Sequence, residues 1–125
     1  MIKLLIYAGL GSFIGGGLRF ILNKAIPWEM TDSFPWATFI VNITGCFLIG
    51  LIYGIVARMS NINEALIVFL SVGICGGLTT FSTFMNENLL LLSAGRFFTA
   101  CLYAAVSFIT GLLCIWLGRK MILLF

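Results

Sequence analysis

Hydrophobic residues occupy four long stretches of this sequence, and short segments with prolines, amides or charged side chains separate them. The stretches cover approximately residues 4–22, 36–57, 65–93 and 97–117. An α-helix crosses a bilayer with about 20 predominantly apolar residues. The pattern therefore predicts an all-α integral membrane protein, in which four transmembrane helices form a single domain over residues 1–125.

Helix-breaking and capping residues mark the connections between these stretches. Pro27 and Pro35 lie in the first predicted loop, residues 23–35, and Asn61 or Asn63 is expected to cap the third helix. Residues 93–96 form the third predicted turn, and the basic pair at 119–120 is expected to end the fourth helix.

Composition narrows the class of protein further. The chain is 62% hydrophobic and 9% charged, with a mean hydropathy of +1.18, which is too apolar for a soluble domain. There is no histidine, and the four cysteines have neither zinc nor redox spacing. An enzyme is therefore the least expected function. We expect a multi-pass protein of the cell membrane, the inner membrane in a bacterium, with lipid around it and no nucleic-acid partner.

Cations are almost evenly divided between the two ends of the predicted bundle, and such cations set orientation in the membrane. Lys3, Arg58, Arg119 and Lys120 lie at one end, and three cations, including Arg19, lie at the other. One interpretation is a weakly biased protein with a single orientation. The other is dual topology, in which two oppositely inserted copies form an antiparallel homodimer.

The third stretch contains the sequence's densest group of glycines and hydroxyl side chains. Gly76 and Gly77 are followed by Thr79 and Thr80, and glycines and β-branched residues weaken a helix. We predict a break between residues 76 and 80, where released carbonyls would face protein, water or a cation. The alternative is an unbroken helix whose hydroxyls bond back to carbonyls.

Glycines also recur four residues apart at positions 11 and 15, 50 and 54, and 73 and 77. Small residues at this spacing allow helices to pack closely in lipid. The packing is equally compatible with contacts inside one subunit and contacts between two.

Polar residues in the other stretches each have a functional and a structural interpretation. Asn42, four residues after Thr38, either donates to an anion or forms an interhelical hydrogen bond. Tyr103 and Ser107 draw a polar stripe that either lines a wet path or satisfies its own helix. Arg19 either attracts anions in a vestibule or extends to the membrane interface.

Two phenylalanines directly follow the hydroxyl cluster. Phe81 and Phe84 are three residues apart and share a helix face. Their ring edges carry partial positive charge that would favour an anion, and the alternative is ordinary packing.

Three ordered blocks resemble the Fluc (CrcB) family of fluoride ion channels. They are "GSFIGGGLRF" at residues 11–20, "FPWATFIVNITGCFLIG" at 34–50 and "GICGGLTTFSTFMNE" at 73–87. The resemblance covers nearly the whole chain. Five positions depart from the family pattern, and they are Ser12, Gly16, Phe20, Ala37 and Gly111.

The resemblance implies a passive fluoride channel, built as a dual-topology homodimer with two fluoride pathways. It implies a structural sodium ion at the dimer centre, held by backbone carbonyls at Gly76 and Thr79 of both subunits, and a vestibule at Arg19. Combined with the polar pattern, it gives an expected ion path lined by Thr38, Asn42, Thr80, Phe81, Ser82, Thr83, Phe84, Tyr103 and Ser107.

Two rival functions remain open at this point. A small dual-topology, proton-coupled multidrug exporter would need a titratable carboxylate in mid-membrane, and the only acid within a hydrophobic stretch is Glu87, near the end of the third. A non-transporting scaffold would explain the glycine spacing but not polar residues on three helices.

Overall fold

The computed structural model describes residues 1–28 and 34–125, and its secondary structure there is entirely helical. Within these residues, four helical segments are long and apolar enough to cross a membrane. The elements in chain order are α1 (Ile2–Ala25), α2 (Trp36–Arg58), α3 (Glu64–Val68), a π-helical stretch (Phe69–Cys75), α4 (Gly76–Leu78), α5 (Phe81–Ser93) and α6 (Phe97–Leu124).

The four predicted spans are confirmed, with changes at their ends. Helix α1 continues through Ala25, so the first loop is shorter than expected, and residues 29–33 of that loop lie outside the described residues. Asn63 is the cap of the third span, because its side chain accepts a hydrogen bond from the backbone of Ala65 at 2.9 Å.

The expectation that the fourth helix ends at the basic pair is wrong, because α6 continues to Leu124. Arg58 at the end of α2 donates to the carbonyl oxygen of Ile122 at 2.9 Å. A cation that bonds a late helix carbonyl stabilises the last turn. Arginine and lysine are also good helix formers, so the pair at 119–120 does not stop the helix.

The predicted break in the third span is confirmed at Thr79 and Thr80. Both residues have extended backbone, with ψ of 156° and 124°, about midway along the 30-residue span Glu64–Ser93. Gly76 is still helical, so the break begins later than residue 76, its predicted start. The π-helical stretch before it was not predicted.

Glycines bring the helices together inside one subunit, which decides the open question about their spacing. A Cβ built on Gly73 would lie 2.7 Å from the Cα of Gly11, so α1 and the third span touch backbone to backbone. A Cβ on Gly118 would meet the backbone oxygen of Phe47 at 2.5 Å, so α6 and α2 approach similarly. Helix α1 therefore packs on the first half of the third span, and α2 packs along α6.

Candidate functional site

The break is held open by a side chain from another helix. The side-chain oxygen of Asn42 on α2 accepts a hydrogen bond from the backbone N–H of Thr80 at 2.7 Å, and its Nδ2 donates to the Thr80 carbonyl at 3.1 Å. An amide side chain can do both at once because it carries an acceptor and two donor hydrogens. Both released backbone groups of Thr80 are therefore satisfied without water.

Arg19 reaches the same break from α1. Its Nη1 donates to the carbonyl oxygen of Thr79 at 3.4 Å. Thr79 also bonds its own helix, since its hydroxyl donates to the Cys75 carbonyl at 2.9 Å. Asn42 and Arg19 together supply partners for three backbone groups that a continuous helix would have paired internally.

The hydroxyl cluster after the break starts the next helix. The hydroxyl oxygen of the Thr80 side chain caps α5 by accepting a hydrogen bond from the backbone N–H of Thr83 at 3.2 Å. The Thr80 hydroxyl also donates to the Thr83 hydroxyl at 3.2 Å and lies 3.5 Å from that of Ser82. The sequence TTFST thus stops one helix and nucleates another, as threonine and serine do at N-caps.

A cavity of about 380 Å³ opens beside the break, between α2, α5 and α6. The Ser107 Oγ is buried and has no hydrogen-bond partner among the described residues, and Ser107 lines this cavity. A buried hydroxyl without a partner is rare in native proteins, which makes Ser107 a candidate functional residue. The lining residues are Asn42, Ile43, Gly45, Cys46, Ile49, Thr79, Thr80, Phe81, Phe84, Ser107, Phe108 and Ile115.

Aromatic rings connect the cavity to the protein interior. The ring centres of Phe81 and Phe84 are 6.3 Å apart, and the Phe84 centre is 4.8 Å from that of Tyr103. Phe81 is 74% exposed, whereas Tyr103 is completely buried. The row of rings therefore extends from the subunit surface, past the cavity, into the core. The Phe34 ring continues this row, with its centre 5.1 Å from that of Tyr103.

Glu87 was not among the predicted site residues, yet it lies at the centre of a buried hydrogen-bond network. Thr38 donates to its Oε1 at 2.6 Å, and the Tyr103 hydroxyl donates to its Oε2 at 2.7 Å. Only 8% of Glu87 is exposed. Two hydroxyl donors offset part of the cost of burying a carboxylate. The available signal was a carboxylate inside an apolar stretch, since such residues in membrane helices are rare and paired.

The predicted ion-path residues fall into three groups in the structure. One group lines the cavity, and it consists of Asn42, Thr80, Phe81, Phe84 and Ser107. Thr38 and Tyr103 bond Glu87 instead. Ser82 and Thr83 stay beside the Thr80 cap.

Of the remaining predicted residues, Arg19 contacts the break, and Thr79 both lines the cavity and offers an extended-backbone carbonyl. Gly76 lies one helical turn earlier. The described residues contain no cluster of histidine, cysteine, aspartate or glutamate suited to a metal ion.

Comparison with known proteins gives consistent results. The family described as "CrcB-like protein, Camphor Resistance (CrcB)" matches residues 6–119. A "Fluoride-specific ion channel FluC" from Flavobacterium psychrophilum is 40% identical over 116 residues, 93% of this chain and 94% of the relative. Proteins with the same name from Phocaeicola vulgatus and Azobacteroides pseudotrichonymphae are 44% and 37% identical, over 85% and 94% of this chain and 90% and 94% of theirs.

Proposed function

The chain belongs to the CrcB-like family of multi-pass membrane proteins, whose relatives are named as fluoride-specific ion channels rather than enzymes, and we propose that it conducts fluoride passively across the cell membrane. The cavity beside the break carries this proposal. It combines the Ser107 hydroxyl, which has no hydrogen-bond partner among the described residues, with the exposed ring of Phe81, beside a break about midway along the third span.

Fluoride is small and strongly hydrated, so a pore has to replace its water with other donors and still release it. The Ser107 hydroxyl is one such donor. Asn42 is a second, but only one of its two amide hydrogens remains, because the other bonds Thr80. The ring edges of Phe81 and Phe84 add weak positive charge without a strong bond. Few and weak donors favour passage over trapping.

The pore is completed by a second copy in this proposal. One side of the cavity is open, and the exposed rings of Phe81 and Phe108 stand at that side, 74% and 69% exposed. Four cations at one end of the bundle against three toward the other give little preference for either orientation. We therefore infer an antiparallel, dual-topology homodimer with two fluoride pathways.

A structural sodium ion at the centre of this dimer is part of the proposal. The Thr79 carbonyl is released from the helical ladder, and Gly76 is the second residue expected to contribute an oxygen. Sodium would supply positive charge that holds the two breaks together and would not drive transport. Arg19, which donates to the Thr79 carbonyl in the single subunit, would have to share or release that oxygen.

The presence of a carboxylate, Glu87, within the third span favours the proton-coupled exporter. Its two oxygens, however, accept hydrogen bonds from Thr38 and Tyr103, and it does not line the cavity. The exporter needs a carboxylate that meets its substrate. The geometry therefore supports the channel better.

Efflux from liposomes tests the proposal. In the presence of purified protein and a potassium ionophore, vesicles loaded with potassium fluoride should release fluoride. Vesicles loaded with potassium chloride should release little chloride. The release should persist with equal pH on both sides. Strict dependence on a pH gradient would support the exporter, and absence of any ion release would support the scaffold.

A further inference from the structure

A second cavity lies at the C-terminal end of α6, away from the fluoride path. It has a volume of about 320 Å³ and is lined by Trp116, Arg119, Lys120, Leu123 and Leu124. We propose that this site binds the headgroup and upper acyl chain of an anionic phospholipid. The proposal does not depend on fluoride conduction.

The position of the cavity along α6 matches the level of lipid phosphates. Arg96 immediately precedes α6, and Arg119 lies within α6, 23 residues after Arg96. This separation corresponds to about 35 Å at a rise of 1.5 Å per residue. A bilayer core is about 30 Å thick. The two arginines therefore stand near opposite headgroup layers, and Trp116, one turn before Lys120, lies at the depth where tryptophan is enriched.

The walls of the cavity have the two chemistries of an anionic lipid. Lys120 Nζ lies 4.6 Å from the centre of the Trp116 ring, a cation–π contact, and Arg119 lines the same cavity. The Trp116 ring lies on the membrane side of the two cations and provides the apolar wall for the upper acyl chain. A free phosphate would use the cations but gain nothing from the tryptophan ring, whereas a phospholipid uses both.

Among the described residues, no acidic side chain lines this cavity. Arg58, the next cation at this end of the bundle, donates to the Ile122 carbonyl and so holds the last turn of α6 in place. Lys24 also lies over a ring, with its Nζ 5.7 Å from the centre of Phe20. It lines neither the cavity near the break nor the cavity at the end of α6, so its substitution serves as a control.

Quenching of tryptophan fluorescence by brominated lipid measures the binding. In nanodiscs, a Trp28→Phe/Trp36→Phe protein leaves Trp116 as the reporter. Dibromo-phosphatidylglycerol should quench it at about tenfold lower mole fraction than dibromo-phosphatidylcholine, because each nearby cation attracts anionic lipid. Arg119→Gln/Lys120→Gln should remove the preference, and Lys3→Gln/Lys24→Gln, with the same net charge, should keep it.

Equal quenching by the two lipids, or equal loss in the two double variants, would overturn the proposal. Displacement of the lipid by millimolar inorganic phosphate would overturn it in favour of a free-anion site. If the reporter protein does not fold, native mass spectrometry of the unaltered chain replaces it. Retained phosphatidylglycerol should then fall about tenfold in the Arg119→Gln/Lys120→Gln protein relative to the control, and equal retention would reject the site.

Discussion

The side-chain amide of Asn42 pairs with both backbone groups of Thr80, as a neighbouring β-strand would, at distances of 2.7 and 3.1 Å. This relationship changes how the asparagine is understood. It holds the broken helix open, and one of its amide hydrogens remains for another partner beside the cavity. The two interpretations that the sequence left open, an interhelical hydrogen bond and an anion donor, are thus compatible.

Asn42→Ala should both destabilise the protein and lower fluoride efflux. It leaves the Thr80 N–H and carbonyl unpaired inside the membrane, and an unsatisfied buried group costs about 1–3 kcal/mol. Unfolding in mixed detergent and liposome efflux measure the two effects. Asn86→Ala is the matched control, since Asn86 is exposed on α5. An Asn42→Ala protein as stable as the unaltered chain would show that the break does not need the hydrogen bonds between Asn42 and Thr80.

Phe81→Leu should separate conduction from stability. Phe81 is 74% exposed in the single subunit and touches only one other ring, Phe84. Unfolding measured in detergent that keeps the subunits apart should therefore change by less than about 0.5 kcal/mol, as at ordinary surface sites. Fluoride efflux should fall by tenfold or more if the ring edge is part of the path, corresponding to about 1.4 kcal/mol.

Phe98→Leu, at another exposed phenylalanine that does not line the cavity, should leave efflux unchanged. Comparable efflux from the Phe81 and Phe98 variants would remove Phe81 from the proposed path.

Tyr103→Phe tests the network around Glu87. The change keeps the ring that packs on Phe84 and removes only the hydroxyl that donates to Oε2 at 2.7 Å. Leaving a buried hydrogen-bonding group without its partner costs about 1–3 kcal/mol. Tyr53→Phe, at a position 45% exposed, is the control and should cost almost nothing. Equal stability of the two variants would mean that water replaces the phenol.

A glycine pair tests the close packing of α1. Gly73→Ala should destabilise the fold, because its Cβ would lie 2.7 Å from the Cα of Gly11, backbone that cannot move aside. Gly9→Ala should stabilise α1 by up to about 1 kcal/mol, since nothing lies within 4 Å of its Cβ and alanine is the better helix former. Thermal unfolding decides, and a stabilised Gly73→Ala protein would contradict the packing described.

Local chemistry explains which features the sequence revealed. Four apolar stretches and the Thr79–Thr80 break follow from helix propensity and hydrophobic length, which neighbouring residues determine. The network of Glu87 does not, because its donors lie 49 and 16 residues away on α2 and α6. The π-helical stretch Phe69–Cys75 was missed for a related reason. Its residues do not distinguish a π-helix from an α-helix, and the chain packs there tightly against α1, which is distant in sequence.

The contact between Arg19 and the Thr79 carbonyl yields a prediction about sodium. If sodium binds that oxygen, the guanidinium, whose Nη1 is 3.4 Å away, opposes it. Two like charges about 5 Å apart repel by roughly 1 kcal/mol in water and 3 kcal/mol at an effective dielectric constant of 20. In Arg19→Gln, the sodium concentration that gives half of the thermal stabilisation should therefore fall about tenfold.

The titration is done against choline at constant ionic strength, with melting temperature as the readout, so that conduction does not enter. Lys24→Gln removes a cation from the same helix and should leave the sodium midpoint unchanged. A melting temperature that does not depend on sodium would refute the sodium site itself. A sodium midpoint that is the same in Arg19→Gln and the parent would leave the site in place but refute the competition, because the guanidinium would then move away from Thr79 when two subunits associate.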